Sequence, residues 1–163
     1  MKLLPRTDKH LAFELDELET QLLTLTLSAY PMAHEPWSHP PSSSHKTNLR
    51  PPAGSPDPEL LASTLGEVKA AHLSRLETFL SGDGIRQHPE GGSQLFLPLE
   101  DVEWFMQVVN ELRVASWYRL DCPDEKLESL LAKHPEHLHD LLRLDFAGMM
   151  LDGILRALGL DSE

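Results

Sequence analysis

The chain has 163 residues, the size of one domain, and a 40% hydrophobic content that lets it bury a core without disulfide or metal staples. Asp and Glu outnumber Lys and Arg by 26 to 14. The resulting net charge of −12 repels phosphate backbones and argues against nucleic-acid binding, since no basic stripe offers a local exception. The chain start lacks a continuous apolar core and no window approaches about 18 uninterrupted apolar residues, so neither export nor membrane spanning is expected.

The first element is a short extended piece, Ala12 to Leu15, running into a helix over Asp16 to Tyr30. Asp16 followed three residues later by Glu19 is a capping-box signal, and Leu18, Leu22, Leu25 and Ala29 form the expected inward stripe. Residues 31 to 56 hold seven prolines and hardly any aliphatic side chains, a composition that cannot offset its ordering entropy; they are expected to form a flexible Pro/Ser-rich loop in which Trp37 anchors back on the domain. Asp57-Pro58 opens a second helix to about Leu80, with Gly82 and Gly84 stopping it and Leu61, Leu65, Val68, His72, Leu76 and Phe79 facing inward.

Gln94 to Leu97 is a second extended stub, and pairing of 12–15 with 94–97 would make a minimal two-stranded ribbon. It leads into a third helix within Pro98 to Leu120, where Val102, Phe105, Met106, Val109, Leu112 and Leu120 share one face and Arg113 lies within their arc. Asp121-Cys122-Pro123 breaks that helix. A short helix from Asp124 to Lys133 follows, and a last one from Pro135 to Leu158 is apolar nearly all round, which suits a central helix or one covered by a second copy of the chain. The fold class is therefore all-α, a single domain spanning 1–163 with four to five helices and a possible two-stranded ribbon.

Arg113 turned toward a core needs a counter-charge, because a buried cation stripped of its partner costs roughly 3–5 kcal/mol. Asp145 and Asp152, seven residues apart on the last helix, share the angular position of Leu138, Leu141 and Met149 and are the candidates. An Arg113–Asp145 ion pair tying the third helix to the last is the structural expectation. The functional alternative is an anion or metal-dependent site on Arg113, Asp145 and Asp152, with Arg119 or Arg156 as a further cation for a carboxylate or phosphate ligand.

Other constellations carry less. His134, His137 and His139 cluster with Glu136, but the Glu136-x-x-His139 spacing occurs once, whereas carboxylate di-iron bundles need two such motifs and two further glutamates. His72 on the second helix reads as a core histidine. Cys122 lacks a histidine or lysine to activate it and, as the lone cysteine, fits a reducing, cytoplasmic setting. Ser42 to Ser44 with His45 lie in a loop that cannot preorganise a triad, and Gly82-Asp83-Gly84 lacks the lysine and strand context of a phosphate cradle. No cofactor and no catalytic residue is expected.

Asn110-Glu111-Leu112-Arg113, followed by Trp117-Tyr118-Arg119-Leu120 and preceded by Trp104 near an acidic helix start, resembles a bacterial helical family, domain of unknown function 2017. Members of that family carry N-D-L-R-L, then R-L-G, and an amphipathic last helix; this chain has Glu111 for the usual Asp and Asp121 where glycine is common. The resemblance covers residues 57 to 158 best and makes the loop 31–56 an insertion. In actinobacteria members often lie beside the adaptor of the Clp protease, so the resemblance implies a regulatory or proteolysis-linked role without catalytic residues. The functional expectation is thus a non-enzymatic interaction or regulatory module with a protein partner, through the last helix or the loop, and with homodimerisation through the last helix as one form of it.

Overall fold

The computed structural model describes residues 1–5, 7–32, 58–89, 91–120, 127–133 and 135–159. These form five helices and a four-stranded sheet: β1 (Lys2–Leu3), β2 (His10–Leu15), α1 (Glu17–Leu27), α2 (Pro58–Ser81), β3 (Ile85–Gln87), β4 (Ser93–Pro98), α3 (Val102–Arg119), α4 (Leu127–Lys133) and α5 (Leu138–Leu158). Single 3-10 turns precede α3 and α5. The fold is mostly helical, but its sheet is larger than a two-stranded ribbon. The order is β1-β2-β4-β3, antiparallel throughout and open at both edges.

The central pair is the one the two extended stubs suggest, with Leu11 opposite Leu97, Phe13 opposite Leu95 and Leu15 opposite Ser93. Period-2 alternation turns Leu11, Phe13, Leu15, Leu95 and Leu97 onto the helices, all buried. On the other face His10 stacks on Phe96 at 4.1 Å between centroids, and Arg86 lies over the same ring at 4.7 Å. β1 and β3 escape a reading by pattern, since two and three residues are too few to show a period.

Asp16 caps α1 as its spacing implies. Its side chain accepts from the Glu19 backbone N–H at 2.8 Å and the Glu19 carboxylate accepts from the Asp16 N–H at 3.0 Å. The inward stripe of α1 is nevertheless Leu23, Thr26 and Leu27; Leu18 is exposed, and Leu22, Leu25 and Ala29 are half-buried. Leucines on two faces of one helix satisfy two stripes equally, and only docking on the sheet selects between them. Of the segment 31–56 only Pro31 and Met32 are described, and Met32 is buried against Ser116; Trp37, the serines and His45 lie outside the described residues.

On α3 the buried arc holds Val102, Trp104, Phe105, Val108, Val109, Leu112, Ala115 and Ser116. Trp104, Val108 and Ala115 swing its centre away from the expected stripe, so Met106 and Arg113 fall on the border. On α5 the buried residues include Leu141, Phe146, Ala147, Met150 and Ile154, whereas Leu138, Asp145, Met149 and Asp152 are exposed. Gly159 ends α5 in the left-handed conformation at φ 72°. Among the described residues no helix is long and apolar enough to cross a membrane.

Gly92 holds the β3–β4 turn against the sheet at φ +76°, and a Cβ there would come within 2.4 Å of the Leu15 carbonyl oxygen. Gly92→Ala is expected to cost about 2 kcal/mol in urea denaturation, through a backbone conformation that L side chains rarely adopt and a clash with main chain that cannot move aside.

Candidate functional site

The C-terminal end of α3 meets the N-terminal end of α5, and charge joins them there. Asp140, 8% exposed, accepts from Arg143 Nη1 at 2.7 Å on its own helix, while its other oxygen lies 3.2 Å from Arg119 Nε. Arg143 is itself 7% exposed. The ion pair between the third and last helices is therefore built on Arg119 and Asp140. Arg113 and Asp145 do not supply it: Arg113 is half-buried, its Nε and Nη2 donate to Asn110 Oδ1 at 3.3 and 3.1 Å, and it forms no ion pair among the described residues. An exposed Asp145 needs no buried cation. Asp152 pairs along its own helix with Arg156 at 2.7 Å, on the surface.

A second polar cluster joins Tyr30, just beyond the end of α1, to α2 and α3. Tyr30 Oη donates to Glu111 Oε2 at 3.2 Å and lies 3.4 Å from His72 Nδ1, and Lys69 Nζ reaches Glu111 Oε1 at 2.9 Å. The phenol has one proton, so with it given to Glu111 the ring nitrogen of His72 is the donor to the phenol oxygen. Burial first, and then the Glu111 carboxylate, pushes the Tyr30 hydroxyl well above its ordinary value. His72 thus meets Tyr30, 42 residues away in the chain, which helical spacing could not reveal. The cluster is closed by its own bonds and acts as a clasp that holds α2 to α3.

What remains open is the face between α3 and α5. Because Arg119 meets Asp140 and Arg113 lies level with Gly148, the two helices run in opposite directions, and a groove of 880 Å³ follows them. Val102 and Met106 from α3, with Leu151, Leu155 and Leu158 from α5, make its apolar wall. A second hollow of 470 Å³, walled by Leu127 and Leu130 of α4 and Leu144 and Met149 of α5, adjoins it. Arg113, Gly148 and Asp152 belong to both, and Asp145 to the smaller. The three residues singled out as a ligand site therefore converge on one surface, without the ion pair. Arg119 is engaged by Asp140 and lines neither hollow, and Arg156, engaged by Asp152, also lines neither.

Gly148 is the residue that sequence reasoning passed over. A glycine inside a 21-residue helix costs about 1 kcal/mol relative to alanine. The other glycine of α5, Gly153, has a reason within the chain, since a Cβ there would meet Met1 Cε at 2.5 Å; at Gly148 a Cβ would meet none of the described residues within 4 Å. A third hollow, beside β1 and β2, is lined by charges already committed to one another, Lys2 with Glu14 and the Met1 amino group with Glu19. The residues of the histidine cluster that are described, Glu136, His137 and His139, are exposed; among the described residues no group of three potential metal ligands converges. His134, Cys122, Asp121 and Asp124 lie outside the described residues.

No protein-family model, curated protein or solved structure matches the chain.

Two measurements check this electrostatic layout. Asp140→Ala, which leaves the buried Arg143 uncompensated, is expected to lose about 3 kcal/mol in chemical denaturation, whereas Arg113→Met, at a half-exposed site, changes stability by less than about 1 kcal/mol. Tyr30 is expected to govern an alkaline limb. A folded-state value raised above the unfolded one, about 10 for a phenol, stabilises fully below that pH and is lost as pH rises beyond it, so unfolding free energy should fall above about pH 10 less steeply in Tyr30→Phe than in the parent chain.

Proposed function

We propose that the chain is a non-enzymatic interaction module whose working surface is the α3–α5 groove, and that the groove receives a helix from a protein partner. The observation that carries this reading is the pairing of an apolar trough with an intrahelical glycine, Gly148, on its lining, where an added Cβ would meet none of the described residues within 4 Å. Two helices side by side make a channel into which a third can pack, and a glycine in its floor lets the incoming backbone come close. Over the 11 residue steps from Val102 to Arg113 the trough runs about 17 Å, or some three helical turns. The regulatory or proteolysis-linked role that the family resemblance implies belongs to the same proposal, as does a bacterial, cytoplasmic setting.

One observation favours a second reading, a small-molecule anion site. Among the described residues no carboxylate pairs with Arg113, whereas Arg75, Arg86, Arg119, Arg143 and Arg156 each have one. Against it, Asp145 and Asp152 stand on the same wall and would repel an anion approaching Arg113.

Photo-crosslinking separates the two. With benzoylphenylalanine at position 106 or 151, a discrete protein adduct is expected in host lysate, absent from a control probe at position 74 on α2 and abolished by Gly148→Leu. Adducts no different from the control would overturn the helix-receiving groove, and saturable binding of inorganic phosphate that Arg113→Met removes would favour the anion site.

A further inference from the structure

The described residues form an open trough and, elsewhere, a helix that is only half seated. Only the second half of α2 is seated. Leu76 and Phe79 are buried, Phe79 packs on Trp104 and Phe105, Arg75 lies over the Trp104 ring and pairs with Asp101, and the Lys69 and His72 bonds to Glu111 and Tyr30 are the last anchors toward its N-terminus. Beyond them the same stripe continues onto an arm that the described residues do not cover. Leu65 is 51% exposed and Val68 44%, and Leu60 beside them is more exposed still. Eleven residues of helix are marginal in water by themselves, and an apolar stripe adds a reason for the arm to find a surface.

We infer that the occupant of the α3–α5 groove is the α2 arm of a second copy of this chain, exchanged reciprocally so that each copy's arm fills the other's groove. The inference rests on the helix-receiving reading above and names its partner. The lengths agree: residues 58–68 rise about 15 Å, against about 17 Å of groove. The chemistry agrees as well. Leu65 and Val68, at i and i+3, suit the trough wall of Met106, Leu151 and Leu155, and Gly148 lets the arm's backbone approach. Arm and groove are different surfaces of one molecule, so a single contact is heterologous; two such contacts related by a twofold axis close on themselves and double the buried area toward the roughly 1,200 Å² of a stable interface.

Sedimentation velocity of the full chain between about 1 and 100 µM tests this, with the expected species at twice 18.3 kDa. Leu65→Asp with Val68→Asp disables the arm and Gly148→Leu fills the groove; each is expected to give a monomer with unchanged helical circular dichroism, since the first pair is exposed and a Cβ at position 148 meets none of the described residues within 4 Å. Mixing these two monomers is the diagnostic step. The arm variant keeps a sound groove and the groove variant a sound arm, so together they should form a heterodimer at least tenfold weaker than the parent dimer but clearly tighter than either variant alone.

A parent chain that stays monomeric throughout, an open polymer, a dimer that survives both variants, or variants that fail to complement would each overturn the exchange. In those cases the crosslinking at positions 106 and 151 still decides the groove: adducts with another protein that Gly148→Leu removes leave the helix-receiving reading intact, and their absence sinks both.

Discussion

The whole architecture depends on the β2–β4 ladder presenting one inward row of side chains to the helices. Leu11, Phe13, Leu15, Leu95 and Leu97 form a single apolar surface, and a sheet of this size has room to cover only one side of the helices packed on it. α3 and α5 bury the arcs that face the core, Phe105, Val109 and Leu112 on one and Phe146, Met150 and Ile154 on the other. Their remaining apolar residues, Met106, Leu151, Leu155 and Leu158, are left at the border, where among the described residues they line the groove. The groove is therefore a consequence of an apolar α5 meeting a sheet that can satisfy only part of it.

Charge fixes how the helices sit once the core has assembled. Asp140 is a buried carboxylate shared by Arg143 and Arg119, and because one arginine lies on α5 and the other at the end of α3, it registers the two helices against each other. The Tyr30, His72, Glu111 and Lys69 clasp does the same for α2 across the opposite side of α3. Arg113 differs from the arginines in these networks: among the described residues its side chain is held only by Asn110 on its own helix.

The two stubs that become β2 and β4, the capping box of α1 and the ends of α2, α3 and α5 were legible in the chain because each is written locally: alternation, Asp16 with Glu19, and glycine or proline at a boundary. The faces of the helices were not. Angular position identifies a stripe but not its centre, and on α3 the indole of Trp104 and the small Ala115 were enough to move Arg113 from core to border. The Asp140-x-x-Arg143 pair is visible in the chain as an acid and a base three residues apart on an apolar helix, but its burial is not. The Tyr30 cluster, assembled from residues 42 and 81 positions apart, left no local trace.

By itself the sequence determined that this is an acidic, mostly helical chain, where its main helices stop, and which two extended stubs pair, since periodicity, capping and turn chemistry act over a few residues. Only the tertiary structure decided that four strands form the sheet, that Asp140 and not Asp145 binds the third helix to the last, and that Arg113, Gly148 and Asp152 share one open surface. Those outcomes depend on which of several nearly equivalent helix faces meets the sheet, and that choice is made by packing between distant segments, where no pattern along the chain can record it.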